Sequence, residues 1–238
     1  MYNAENAIEA SQALQYLRDK IVEEKIYDLK VGTDWEEIEL LASETEKKYI
    51  GEHFRRAINT TPPEDGFWIA GLDKDGSLVA MVAARLQRTG GWSLRRYWNE
   101  YFPRAYKSSS GGPVELARNQ TGFADRIGGD VAYIGEGWVG HDWAGHALSV
   151  LFVQMASVLA CQLWRPSYLY GWMRPRHALR GTAIKWGFTE CYPEAIRFDA
   201  PPVEGDLEAL YFVGLPAEGA KEMIARLAAL YRGRESSK

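Results

Sequence analysis

The sequence predicts an α/β (α+β) fold. It has a mixed, mostly antiparallel central sheet with one parallel strand pair, flanked by helices, with extra helices at the N- and C-terminal ends. Three observations carry this reading. Between residues 130 and 173 an apolar run, a small-residue turn, a mostly apolar helix and a second apolar run follow one another. Two strands joined through a helix of that length lie parallel. Residues 67–72 and 78–86 are apolar runs joined by Asp73-Lys74-Asp75-Gly76, the signature of an antiparallel hairpin. Residues 4–25 and 218–231 place apolar side chains at helical spacing with charges between them.

Each element follows in order. In the first helix Ile8, Leu14, Leu17, Ile21 and Val22 recur at helical spacing. A short β-like run covers 25–31. Thr33-Asp34-Trp35-Glu36 reads as a capping box, in which Thr and the Glu three residues on satisfy each other's free N–H groups. A long helix is expected from there to Ile58, ended by Thr61-Pro62-Pro63-Glu64-Asp65-Gly66. The hairpin comes next. Order weakens over 89–129, where an aromatic, basic, helix-like stretch (92–103) precedes Ser108-Ser109-Ser110-Gly111-Gly112-Pro113, a loop by composition. A strand is expected at 130–139. A helix at 145–163 must bury more than one side, because it is apolar nearly all round. A strand at 167–173 and a short helix at 177–186 follow, the latter stopped by Gly187. Two terminal strands, 189–198 and 209–214, precede the last helix. There is no internal repeat and no second composition regime. The expected organisation is therefore one domain over 1–238, with an N-terminal helical extension (1–24), an insertion at 89–129 between the third and fourth strands, and a C-terminal helix (216–238).

Composition narrows the function. The chain has 238 residues, 46% hydrophobic and 25% charged, with a formal net charge of −4. An acidic balance argues against a general nucleic-acid binder, whose phosphate contacts need a basic face. Two cysteines, Cys161 and Cys191, are too few for a disulfide scaffold or a cysteine-based zinc site, and both sit among apolar neighbours as expected buried thiols. No metal is implied. The start lacks the basic-then-apolar run of a signal peptide, and no apolar stretch would span a bilayer, so the expected location is cytoplasmic, away from membranes. Nine Trp and thirteen Tyr are many for this length, and fit either an aromatic core or a ring-lined ligand site.

The turn at Val139-Gly140-His141-Asp142-Trp143-Ala144-Gly145-His146-Ala147-Leu148-Ser149 feeds a helix N-terminus, where free N–H groups face an anion. This turn and the long helix after it resemble the acyl-CoA-binding turn of the GNAT superfamily of N-acyltransferases, which typically reads Val-x-Pro-x-Tyr-Arg-Gly-x-Gly-x-Gly/Ala. Downstream, Lys185-Trp186-Gly187-Phe188 resembles that family's Tyr-x-x-x-Gly-Phe element, and the hairpin at 67–86 resembles its second and third strands. The resemblance covers about residues 25–198 and is that of a divergent member. The family's basic or amide side chain in the turn is replaced by Ala144, its later glycines by Ala147 and Ser149, and its Tyr four residues before Gly-Phe by Ala183. Small residues can stand in for glycine where backbone N–H groups bind the pyrophosphate, with less conformational latitude.

The resemblance implies acyl transfer from acetyl-CoA or another acyl-CoA to the amine of a small molecule, by direct attack with general-base assistance. Trp138, Val139, Ala144, Gly145, His146, Ala147, Leu148 and Ser149 would hold the donor, with Trp138 and Val139 offering an N–H to the developing oxyanion. Arg176 and His177, in a cluster with Arg174 and Arg180, would meet nucleotide phosphates. Glu136, the one carboxylate between Tyr133 and Val139, is the candidate general base, expected to be made more basic by a dry cleft. His141 and His146 are alternative bases. Tyr168, Tyr170 and Tyr133 are candidate acids. Trp92, Arg95, Arg96, Trp98, Tyr101 and Tyr170 would shape the acceptor site, with Tyr97, Arg104 and Tyr106 beside them. The eroded turn and the basic, aromatic insertion leave other donors open: an acyl carrier protein or an aminoacyl-tRNA. The absent Tyr leaves open a binding module without catalysis. A homodimer is a further expected partner state.

Overall fold

The structure, a computed structural model, describes residues 4–145, 147–203 and 207–236. Its strands are β1 (Asp28–Gly32), β2 (Gly66–Leu72), β3 (Leu78–Ser93), β4 (Glu115–Leu116), β5 (Gly128–Val139), β6 (Tyr168–Met173), β7 (Glu190–Tyr192), β8 (Phe198–Ala200) and β9 (Tyr211–Pro216). Its helices are α1 (Ala4–Glu23), α2 (Trp35–Ser43), α3 (Leu94–Ala105), α4 (Leu148–Trp164), α5 (Pro175–Ala178), α6 (Thr182–Trp186) and α7 (Ala217–Glu235).

Seven strands form one sheet in the order β1-β2-β3-β5-β6-β9-β7, and β4 and β8 form a small second sheet. Every pair in the large sheet is antiparallel except β5 and β6, where α4 makes the crossover. The expected fold class holds: a mixed, mostly antiparallel sheet with one parallel pair. Alternation along the strands sorts the core into two layers. Ile69, Ala80, Val82, Ala84, Ala132, Ile134, Leu169 and Val213 face α1, α4 and α7. Trp68, Met81, Val131, Tyr133, Tyr168, Tyr170 and Phe212 face α2, α3 and the loops beside them. Helix α4 buries eleven of its residues, as its all-round apolar sequence requires. No helix of the described residues is long and apolar enough to cross a membrane.

Several expected boundaries move. The helix expected to reach Ile58 stops at Ser43, because Ser43 and Thr45 hydroxyls bond back to the Leu40 and Ala42 carbonyls and compete with the helical ladder. Residues 44–62 become an irregular connector instead. The cap of α2 is Asp34, whose carboxylate accepts the Glu36 N–H at 2.9 Å; Glu36 pairs with Arg56 rather than closing a box with Thr33. Strand β3 does not end at Leu86 but runs to Ser93, still paired with β5. The Ser93 hydroxyl then caps α3. Helix α4 starts at Leu148 rather than Gly145, whose φ of +95° is not helical. Gly181, at φ +72°, splits the short helix expected at 177–186 into α5 and α6. The strand expected over 189–198 breaks after Tyr192: β7 pairs with β9, and β8 leaves to pair with β4. Cys161 is buried, and its burial pushes the thiol up to about 12. Cys191 is exposed, since β7 lies at the sheet edge.

Candidate functional site

The sheet opens at its centre. Ladder pairing of β5 with β6 covers only Val131–Tyr133 against Tyr168–Tyr170. Beyond it, β5 continues against β3 and β6 continues against β9, so their facing edges are not paired with each other. Unpaired strand edges inside a sheet leave backbone donors and acceptors for another partner. The opening starts where Gly171 meets the Ile134 carbonyl, close enough that a Cβ there would stand 2.7 Å from the oxygen.

A bulge sits beside it. Met81 is opposite Trp138 and Ala83 opposite Gly135, so Glu136 and Gly137 together face the single residue Val82. Glu136 takes the extra length with φ +56°, a conformation unusual for a residue with a Cβ. Its carboxylate points to the connector. Oε2 is 2.6 Å from the Lys47 ammonium, and Oε1 accepts the Gly51 N–H at 3.0 Å. The two side chains are only 10% and 13% exposed, so the pair is largely out of water.

At the end of β5 the turn runs from Gly140 into α4. Ala147 at the α4 N-cap makes no side-chain cap, so the helix start is left for an outside acceptor. The neighbouring His141 N–H is already taken, by the Glu46 carboxylate at 2.6 Å. This bond ties the connector to the turn after β5. Arg174, Arg176, His177 and Arg180 follow the adjacent strand end. Burial and then the three arginines hold the His177 imidazole below its ordinary range, which marks the local field as positive.

The other end of the opening is a buried aromatic and polar chamber between the sheet and α3. His53, on the connector, stacks against Tyr101 and Tyr133 with ring centroids 5.0 and 4.3 Å apart. Neither of its ring nitrogens has a partner, and burial, with Arg85 nearby, lowers its pKa to about 3. Arg85 donates to the His53 carbonyl at 2.7 Å. Tyr170 donates to the Gln87 side-chain oxygen at 2.8 Å. Asn59 donates to the Tyr101 hydroxyl at 3.3 Å. Burial holds the Tyr133 and Tyr170 hydroxyls protonated, far above the ordinary phenol range.

The structure gathers some of the sequence-chosen residues and separates others. Glu136, Trp138, Val139, Ala144, Gly145, Ala147, Leu148 and Ser149 follow one another from the bulge into α4. His146 lies outside the described residues. His141 is exposed on the turn. Tyr168 is opposite Val131, five residues down β5 from Glu136, roughly 16 Å away at strand rise. Its hydroxyl donates to Glu190 at 2.7 Å. Of the six acceptor candidates, Trp98, Tyr101 and Tyr170 are buried in the chamber. Trp92, Arg95 and Arg96 face away from it: Arg95 pairs with Asp125 at 2.6 Å, and Arg96 lies 4.4 Å from the Trp92 ring. Arg95 and Arg96 border a cleft with Asn99 and Arg118. Lys47, Glu46, His53, Gln87 and Arg85 had no motif to mark them. Arg85 alone carried a signal, as the single charge in the run Leu78–Leu86.

No family model and no curated protein matches the chain. Solved structures similar to it include FeeM, an N-acyl amino acid synthase from uncultured soil microbes (12% identity, 84% of this chain and 96% of that one, TM-score 0.46). Arabidopsis thaliana NAA60 in complex with acetyl-CoA is another (12% identity, 79% and 97%, TM-score 0.45). A third is an acetyltransferase of the GNAT family from Staphylococcus aureus (9% identity, 80% and 99%, TM-score 0.43).

Proposed function

We propose that the chain, as one GNAT-like domain, transfers an acyl group from a thioester to a small-molecule amine. The observation that carries this reading is the opened sheet centre, with the bulged Glu136 at its side, the uncapped α4 start at one end and the aromatic chamber at the other. An extended donor arm with amide groups would lie in the opening and take the unpaired strand edges. Its phosphate end would meet the start of α4 and the Arg174, Arg176 and Arg180 side chains. Backbone N–H groups around Trp138 and Val139 are the candidates to face the thioester oxygen. Attack forms the N–C bond and breaks the C–S bond. Glu136 is the candidate to take the amine proton. For the departing sulfur, Tyr133 fits best of the three tyrosines: a Cβ on Gly135 would lie 2.8 Å from its hydroxyl oxygen, whereas Tyr168 and Tyr170 point to Glu190 and Gln87.

A second reading, an acyl carrier protein as donor, is favoured by the Glu46 carboxylate bonded to the turn and by Leu179 and Ile184, which are 76% and 79% exposed beside Arg174, Arg176, Arg180 and Lys185. Apolar side chains ringed by cations suit an acidic partner. The test is a thermal-shift titration with CoA, acetyl-CoA and an acylated carrier protein, followed by thiol release with an amine panel. Stabilisation and turnover with either donor support acyl transfer and assign the donor. Indifference to all three refutes it.

A further inference from the structure

The chamber holds a charge without a counter-ion. Arg85 is 9% exposed, yet no carboxylate among the described residues lies within ion-pair distance of it. Its one bond is Nη1 to the His53 carbonyl, and its Nε has no partner. A buried unpaired cation is unfavourable by several kcal/mol. A lysine would escape by losing its proton; a guanidinium does not. The surroundings share the deficit. Ten described buried side-chain polar atoms lack a partner, and six lie here: two on His53 and one each on Asn59, Arg85, Gln87 and Trp172. That clustering marks a place made for a polar occupant rather than scattered imperfection.

The position of Arg85 says what the occupant carries. Arg85 is directly opposite Tyr133 on β5, two residues along β3 from Ala83, which faces Gly135 at the bulge. Arg85 therefore originates about 7 Å along the strand from the Gly135 edge of the bulge and about 10 Å from the level of Glu136, which faces Val82. A planar fork of N–H donors matches a carboxylate. The His53 ring packs against Tyr101 and Tyr133, and the Arg85 guanidinium lies 5.7 Å from the Tyr101 ring centroid.

We propose that the chamber is the acceptor subsite and that the acceptor is an amino acid, its carboxylate held by Arg85 and its amine directed to Glu136. This rests on the acyl-transfer reading for the amine's fate, but not for the binding. The test is therefore made without any donor. The twenty protein amino acids are screened by thermal shift, and those that stabilise the protein are titrated by calorimetry beside their carboxamides. At least one amino acid should bind, about ten-fold or more tighter than its amide, the loss expected for a charge-assisted hydrogen-bond pair. Arg85→Met should fold with an unchanged or higher melting temperature, since it removes an unpaired buried cation, and should erase the preference for the acid. If no amino acid binds, or acid and amide bind equally to the wild-type protein, the proposal is wrong and the chamber holds water only. If Arg85→Met does not fold, the amide comparison still decides. Amino-acid binding without turnover on any thioester would leave this subsite standing and remove acyl transfer alone.

Discussion

Replacing Lys47 with Met tests the contact that ties the connector to the bulge. Lys47 and Glu136 meet at 2.6 Å with roughly nine-tenths of both side chains out of water. Removing one partner of such a pair leaves the other charge buried and uncompensated, which destabilises by about 3–5 kcal/mol. Because a tenth of each side chain still meets solvent and the Gly51 N–H stays on the carboxylate, the lower end applies, about 3 kcal/mol. For 238 residues the unfolding entropy near the transition is about 0.5 kcal/mol/K, so the melting temperature should fall by about 6 °C. The double change Lys47→Met with Glu136→Met removes both charges and should recover about 2 kcal/mol relative to the sum of the singles. Calorimetry or urea unfolding of the four proteins measures this. Additive single effects, or a melting temperature lowered by less than about 1 °C in Lys47→Met, would refute a buried coupled pair. A Glu136→Gln variant added to the set reads function. If Glu136 takes the amine proton, Glu136→Gln loses turnover while Lys47→Met keeps it; equal losses in both would make Glu136 a positioning residue.

Three further outcomes follow from the geometry. His53 is held neutral with a pKa of about 3, against 6.5 when unfolded. Between those values the unfolded chain binds the extra proton, so stability falls with decreasing pH, by up to about 1.4 kcal/mol per pH unit. His53→Phe keeps the stacked ring and should flatten the stability profile between pH 6.5 and 4 relative to wild type; parallel profiles would contradict the buried neutral imidazole. Glu46→Gln removes a negative charge from the turn and should tighten binding of CoA about five-fold, about 1 kcal/mol for one exposed charge near a phosphate; unchanged affinity by calorimetry would place the phosphates elsewhere. Gly171→Ala drives a Cβ to 2.7 Å from the Ile134 carbonyl at the root of the opening, and a backbone atom must give way. A loss of about 1–3 kcal/mol in urea unfolding is expected, and a neutral effect would mean that the two strands already stand apart there.

The fold was readable because its strongest signals are local. Asp75-Gly76 fixes the β2–β3 turn, the all-round apolar helix dictates a crossover, and a crossover dictates parallel strands. The site was readable in part for the same reason: the bulge, the turn and the α4 start are contiguous in sequence. What escaped was set by tertiary packing. Nothing in the run Thr45–Asn59 says that it leaves the helix and crosses the sheet, since its charges repeat as well as those of a helix would. The aromatic, basic stretch at 92–103 reads as one acceptor surface, but helical geometry turns Trp98 and Tyr101 inward and Arg95 and Arg96 outward.

The connector links parts of the site that are far apart in sequence. Within fourteen residues, Glu46 holds the turn after β5, Lys47 and Gly51 hold the bulge, the His53 carbonyl holds Arg85, and Asn59 holds Tyr101. Most of these contacts are to a charged group, and such contacts are the strong ones. An anion at the α4 start competes for the His141 N–H now bonded to Glu46. A carboxylate on Arg85 would compete for the guanidinium now bonded to the His53 carbonyl. Either ligand would act on a segment that the other also touches, and two sites that bias one element are coupled in both directions. The order of the contacts along the connector matches the order of the proposed chemistry: donor end, base, acceptor. The helix that the sequence led one to expect over this stretch would have presented side chains on a repeating face. The irregular path lets successive residues reach three different places on the sheet.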